Sequence, residues 1–151
     1  MRAVLSLVVA VVIGYSLSVA INASMSAATL VGFGIEVSAV DRLDMIYKEW
    51  VGLSSIYLPI YFILQAVSFW ILGRAASVTG LYYLATPATY AVVGSLSLLG
   101  LYLGFDAVMG SGGVVVASTR TFEGLLANVA TGAVAGFAFR QLSALPASQD
   151  A

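Results

Sequence analysis

The 151 residues include no cysteine and no histidine. Without thiols there is no disulfide, no thiolate metal site and no cysteine nucleophile. Without imidazole there is no histidine ligand for haem or zinc, and no general base titrating near neutrality. Charge is scarce as well. Only 9% of the residues are Asp, Glu, Lys or Arg, against roughly 25% in a soluble domain. Lysine occurs once, as Lys48, so a Ser–Lys pair would have a single possible base. A net charge of −1 supplies no basic stripe for nucleic acid. No phosphate-cradling G-x-x-x-x-G-K-[ST] occurs, and no acidic run has the spacing of a calcium loop. These absences argue against an enzyme, and neither a cofactor nor a metal site is expected.

What remains is apolar. The chain is 61% hydrophobic, with a mean hydropathy of +1.03. Residues 51–105 carry one charge, Arg74. Such runs are continuous rather than alternating, which favours spanning helices over a β-barrel. The expected fold is all-α: a four-transmembrane-helix bundle forming a single membrane domain, 1–151. Its helices are placed at about 3–23, 54–72, 79–103 and 120–140. A short interfacial amphipathic helix, about 40–50, lies in the first outer loop, and a disordered tail covers about 143–151.

The first apolar run follows Arg2 and is longer than the core of a signal peptide, so it reads as a membrane helix. In the 40–50 segment, Val40, Leu43, Tyr47 and Trp50 recur at helical spacing, and Asp44 precedes Lys48 by four residues. A turn is expected at residues 73–77, around Arg74. Pro59 falls near the start of the second helix, where its missing N–H costs little. Pro87 falls inside the third and should kink it. The Gly-rich loop 110–113 leads to Val114-Val115-Val116, a short β-like run expected to pair with residues 35–37. Tyr47, Trp50, Trp70, Tyr82 and Tyr102 are read as membrane-interface anchors, because Trp and Tyr concentrate at headgroup level.

Polar residues recur along one stripe of each helix. They are Tyr15, Ser18 and Asn22; Tyr57, Tyr61, Gln65 and Ser68; Thr86, Tyr90, Gly94 and Ser97; and Asn128 and Thr131. Two uses are weighed. The stripes hold helices together by hydrogen bonds, or they line a ligand cavity open to the non-cytoplasmic side. The candidate cavity consists of Tyr57, Tyr61, Gln65, Tyr90 and Asn128, with Glu123 and Arg120 at its mouth. The last helix is rich in small residues, and Gly132 and Gly136 form a G-x-x-x-G flanked by Ala127 and Ala135. This is a close-packing surface, within the chain or between subunits.

Arg2, Arg74 and Arg140 share one side of an up-down topology, in segments with no acid before Asp150. Both termini are therefore expected to be cytoplasmic. The functional expectation is a small integral membrane protein acting by association, as an accessory or assembly subunit of a membrane complex or as a homo-oligomer. Its partners would be the lipid bilayer and other membrane subunits or itself. The alternative is a carrier or channel-like protein for a small neutral or lipophilic solute.

Overall fold

A computed structural model of the chain describes residues 2–81, 85–109 and 121–144. The described residues form five helices and no strand: α1 (Arg2–Gly32), α2 (Ala39–Ser54), α3 (Tyr57–Thr79), α4 (Pro87–Met109) and α5 (Phe122–Ala144). Four of them, all but α2, are long and apolar enough to cross a bilayer. The proposed partner run at residues 114–116 lies outside the described residues, as does any tail beyond Ala144.

The helix boundaries depart from the sequence expectations, with α3 starting at Tyr57 and α4 ending at Met109, and four further departures have a local cause. First, α1 does not stop near residue 23 but runs on to Gly32. The Ser24 and Thr29 hydroxyls donate to the carbonyls of Ala20 and Met25, one turn back, so neither polar residue interrupts the ladder. The stop comes at Gly34, whose φ of +82° admits the left-handed conformation. There Gly34 N–H bonds Val31 O and Ile35 N–H bonds Leu30 O, the paired bonds of a Schellman motif.

Second, the turn expected around Arg74 is absent. Helix α3 continues through Gly73 and Arg74 to Thr79, with Ser77 and Thr79 bonded back to Arg74 O and Ala75 O. It ends at Gly80, in the left-handed region at φ +70°. Third, Pro87 kinks nothing, because it is the first residue of α4. The Thr86 hydroxyl accepts from Thr89 N–H and so caps the helix just ahead of the proline. Fourth, α5 begins after Thr121 and runs four residues beyond residue 140, with the Thr121 hydroxyl accepting from Gly124 N–H.

Helix α2 is longer than the 40–50 segment and has its own start signal. Ser38 and Asp41 form a reciprocal capping box, in which Asp41 N–H donates to Ser38 Oγ and Ser38 N–H donates to Asp41 Oδ2. Ser38 Oγ also donates to Asp41 Oδ2 at 2.6 Å, and this bond together with that from Ser38 N–H holds the Asp41 carboxyl below its ordinary pKa. The Asp44–Lys48 pair closes at 2.6 Å on an exposed face. The far end of α2 is pinned to the middle of α1. Trp50 Nε1 donates to Ser16 Oγ, Tyr15 Oη donates to Trp50 O, and the two rings meet edge to face at 5.6 Å.

The closest helix pair is α4 and α5. A Cβ added at Gly94 would overlap the Gly132 carbonyl, and one at Gly132 would overlap the Gly94 carbonyl. One at Gly136 would overlap the Tyr90 carbonyl. The G-x-x-x-G is thus used inside the chain, backbone against backbone, with Gly94 as its counterpart on α4. Ala135 is fully buried on the neighbouring face of α5, against Gly14 of α1. Ala127 is half-buried. Helix α5 therefore sits between α4 and α1, and small residues set both approaches.

Replacing Gly132 by Val cannot be absorbed by a rotamer change, since backbone stands in the way. The expected cost is about 3 kcal/mol, the upper end of ordinary overpacking. Gly100→Ala, where nothing lies within 4 Å of the added Cβ, should be neutral or slightly stabilising. Unfolding of both variants in mild detergent, followed by tryptophan fluorescence, checks the contrast.

Candidate functional site

The polar stripes converge on a buried hydrogen-bond network about the Asn128 amide. Asn128 is on α5, one turn after Gly124, and is fully buried. Its Nδ2 donates to Gly124 O at 2.9 Å and to Asn22 Oδ1 of α1 at 3.0 Å. Because a carbonyl only accepts, the nitrogen must face Gly124, which fixes the amide's orientation. The Oδ1 then accepts the Ser18 hydroxyl proton at 2.6 Å.

This fixes every proton upstream. Ser18 has spent its hydrogen, so at 3.1 Å the Tyr57 hydroxyl must donate to it. Tyr57 has then spent its own, so Tyr102 donates to Tyr57 across 2.5 Å. The chain Tyr102→Tyr57→Ser18→Asn128 runs in one direction through all four long helices. A second branch obeys the same rule. Thr131 Oγ1 donates to Asn128 O at 2.7 Å, so the Tyr61 hydroxyl, 3.3 Å away, is the donor to Thr131.

Below this layer, Gln65 on α3 is fully buried. Its Nε2 donates to Gly94 O at 3.2 Å, while its Oε1 has no partner. A Cβ on Gly94 would lie 3.3 Å from that oxygen. The amide is thus wedged against the glycine face of α4 rather than against an open space.

Of the residues expected to line a cavity, Tyr57, Tyr61, Gln65 and Asn128 are brought together. Tyr90 is not among them. It lies nearer the start of α4, in an aromatic cluster with Phe69 and Phe139, and its ring centroid is 5.5 Å from each. Phe69 and Phe139 stack at 5.0 Å and 14°. Glu123 is exposed in the first turn of α5, where an acid suits the helix dipole. Arg120 lies outside the described residues.

Sequence reasoning left Ser18, Asn22 and Tyr102 out of the cavity set. Ser18 and Asn22 stood on the α1 stripe and are its central members. Tyr102 was read as an interface anchor, yet it is buried and bonded to Tyr57. The signal was available, since Tyr90, Gly94, Leu98 and Tyr102 recur every four residues along one face of α4. Among the other anchors, Tyr47 and Trp70 are exposed and Trp50 is half-buried against α1. Tyr82 lies outside the described residues.

The arrangement can bind helices to one another, and the hydroxyls of Tyr102, Tyr57, Ser18, Tyr61 and Thr131 are already spent on partners within the chain. A double-mutant cycle on Ser18→Ala and Asn128→Ala should give a coupling of about 1 kcal/mol, within the range for interhelical bonds in membranes. Tyr102→Phe removes only the terminal donor and should cost less than Asn128→Ala, which removes the acceptor of Ser18 and the donor to Asn22. Detergent unfolding midpoints of these variants measure the ranking. No known protein family, curated protein or solved structure matches the chain.

Proposed function

We propose that this chain is a four-span integral membrane protein that works by association, as an accessory or assembly subunit or as a homo-oligomer. The observation that carries the membrane reading is an inside-out distribution of polarity. Ser18, Asn22, Gln65, Asn128 and Thr131 are buried, whereas Ile63, Val67, Val92, Leu96, Leu126 and Phe137 face outward. Water favours the reverse arrangement, and a bilayer favours this one. In this reading α2 lies at the headgroup layer, with Val40, Leu43 and Tyr47 exposed beside the Asp44–Lys48 pair. Both termini are placed in the cytoplasm on the strength of Arg2, Arg74 and Arg140 at one end of the bundle.

Association is favoured over solute transport because the polar groups that would recognise a solute are bonded across helices. The exposed edge of α2 is the contact surface of this proposal. The second reading, a carrier for a small neutral or lipophilic solute, rests on the unpartnered Oε1 of Gln65. That atom is a buried acceptor with no partner in the chain.

Affinity purification in mild detergent, with mass spectrometry of proteins and lipids, separates the two. Stoichiometric recovery of other membrane subunits, or of a homo-oligomer, is the expected result, and it should be weakened by Leu43→Glu on α2. A monomer carrying a stoichiometric polar solute that Gln65→Leu abolishes would overturn the proposal in favour of the carrier. Retention of the chain in the pellet after carbonate extraction checks the membrane reading by itself.

A further inference from the structure

Helices α1 and α3 face each other across a gap near the end of the bundle that carries Arg2, Arg74 and Arg140. A cleft of about 460 Å³ opens there, lined by Val4, Leu7, Ala66, Trp70, Tyr90 and Phe139 among others. Its walls are almost wholly apolar, and its rim residues Val4 and Trp70 are 62% and 67% exposed. The floor is the stacked pair Phe69 and Phe139, a rigid aromatic surface.

The cleft changes character toward that end. Tyr90 is a wall residue, and its hydroxyl points at Gly73, 3.5 Å from where a Cβ on that residue would sit. Arg74 is the next residue of α3. It is exposed and one helical turn beyond Trp70, on the same face. Arg140 directly follows Phe139 and is half-buried, with its Nε donating to Ala85 O at 2.8 Å. That bond uses one of the five guanidinium N–H donors and fixes the group beside the start of α4. Arg2 opens α1 just before the wall residues Ala3 and Val4. Among the described residues this end of the bundle holds three arginines and no acid.

We propose that this cleft is a binding site for one anionic phospholipid of the leaflet at the arginine end. An acyl chain lies against Phe69 and Phe139, and the phosphate is held by Arg74 and Arg140 with the Tyr90 hydroxyl. Charge complementarity selects the occupant. A second helix would bury the apolar walls but would offer no anion to Arg74 and Arg140. A phospholipid satisfies both parts in the order the cleft presents them, with tails at mid-bundle and phosphodiester at its end. Guanidinium is suited to the group, because its planar fork donates two parallel bonds to phosphate oxygens.

The inference rests on the four-span reading, and release of the chain by carbonate would overturn both. The test uses the full chain in a neutral detergent, titrated with phosphatidylglycerol or with phosphatidylcholine of the same acyl chains. Binding is read by native mass spectrometry and by the unfolding midpoint. Phosphatidylglycerol should persist as a one-to-one adduct and raise the midpoint. Phosphatidylcholine should bind at least 10-fold more weakly.

Arg74→Gln should reduce the preference about 5-fold, the share of one basic residue at an anionic surface. Its side chain has no described partner, and the change should leave the lipid-free midpoint unchanged. Arg140→Lys keeps the charge but loses the fork, and it should also weaken the adduct. Ala66→Trp should fill the cleft and abolish binding of both lipids. Equal binding of the two lipids would overturn the site, as would a preference that survives Arg74→Gln together with Ala66→Trp.

Discussion

The orientation of one side-chain amide governs the interior of this bundle. Asn128 Nδ2 must face the Gly124 carbonyl, and that choice leaves its Oδ1 as the acceptor at the end of a hydroxyl chain. Ser18, Tyr57 and Tyr102 then have no freedom in where their protons point. In an apolar surround an unmade hydrogen bond has no water to fall back on. Each helix is therefore tied to the rotational setting of the others, because turning any one of α1, α3, α4 or α5 about its axis strands a donor. In a bilayer, apolar side chains would give no comparable registry, since lipid tails would compete for them on equal terms.

The second constraint is distance. The Gly94, Gly132 and Gly136 backbones meet without intervening side chains, which sets the spacing of α4 and α5. That spacing brings Asn128 into reach of Ser18 and Tyr102 into reach of Tyr57, two residues that are themselves bonded to each other. The glycines and the polar network are thus complementary. Glycine sets how near two helices lie, and the amide and hydroxyls set how each is turned. Trp50 adds a third tie by clamping α2 to Ser16 and Tyr15, next to the network on α1.

The number of long helices and the inward stripes of α1, α3 and α5 were legible in the sequence because they follow from composition and period alone. The helix ends were less legible, for a definite reason. Arg74 was read as a loop residue because a charge interrupts an apolar run, but a long cationic side chain at a helix end can reach the headgroups without ending the helix. Pro87 was read as a kink because apolar residues flank it on both sides. Only the Thr86 hydroxyl, one residue ahead, distinguishes a capped start from a bent interior. Tyr102 was placed at the surface by its nearness to a helix end, when its four-residue spacing from Leu98 and Gly94 was the better guide. The partners of Asn128 were not legible at all, because they depend on rotations about helix axes that one sequence does not encode.

A row of hydroxyls through an apolar bundle resembles a path for protons, and the geometry here argues the opposite. Proton relay needs a terminal group that takes up a proton at one end and releases it at the other. Each hydroxyl in the Tyr102, Tyr57, Ser18 series donates forward, and the last acceptor is a carboxamide oxygen, which is too weakly basic to hold a proton near neutrality. The series therefore dead-ends at Asn128. A single exchange of Asn128 for Asp would replace that insulating terminus with an ionisable one, buried beside two tyrosines and a serine. The distance between a structural tie and a buried acid is, at this position, one side-chain atom.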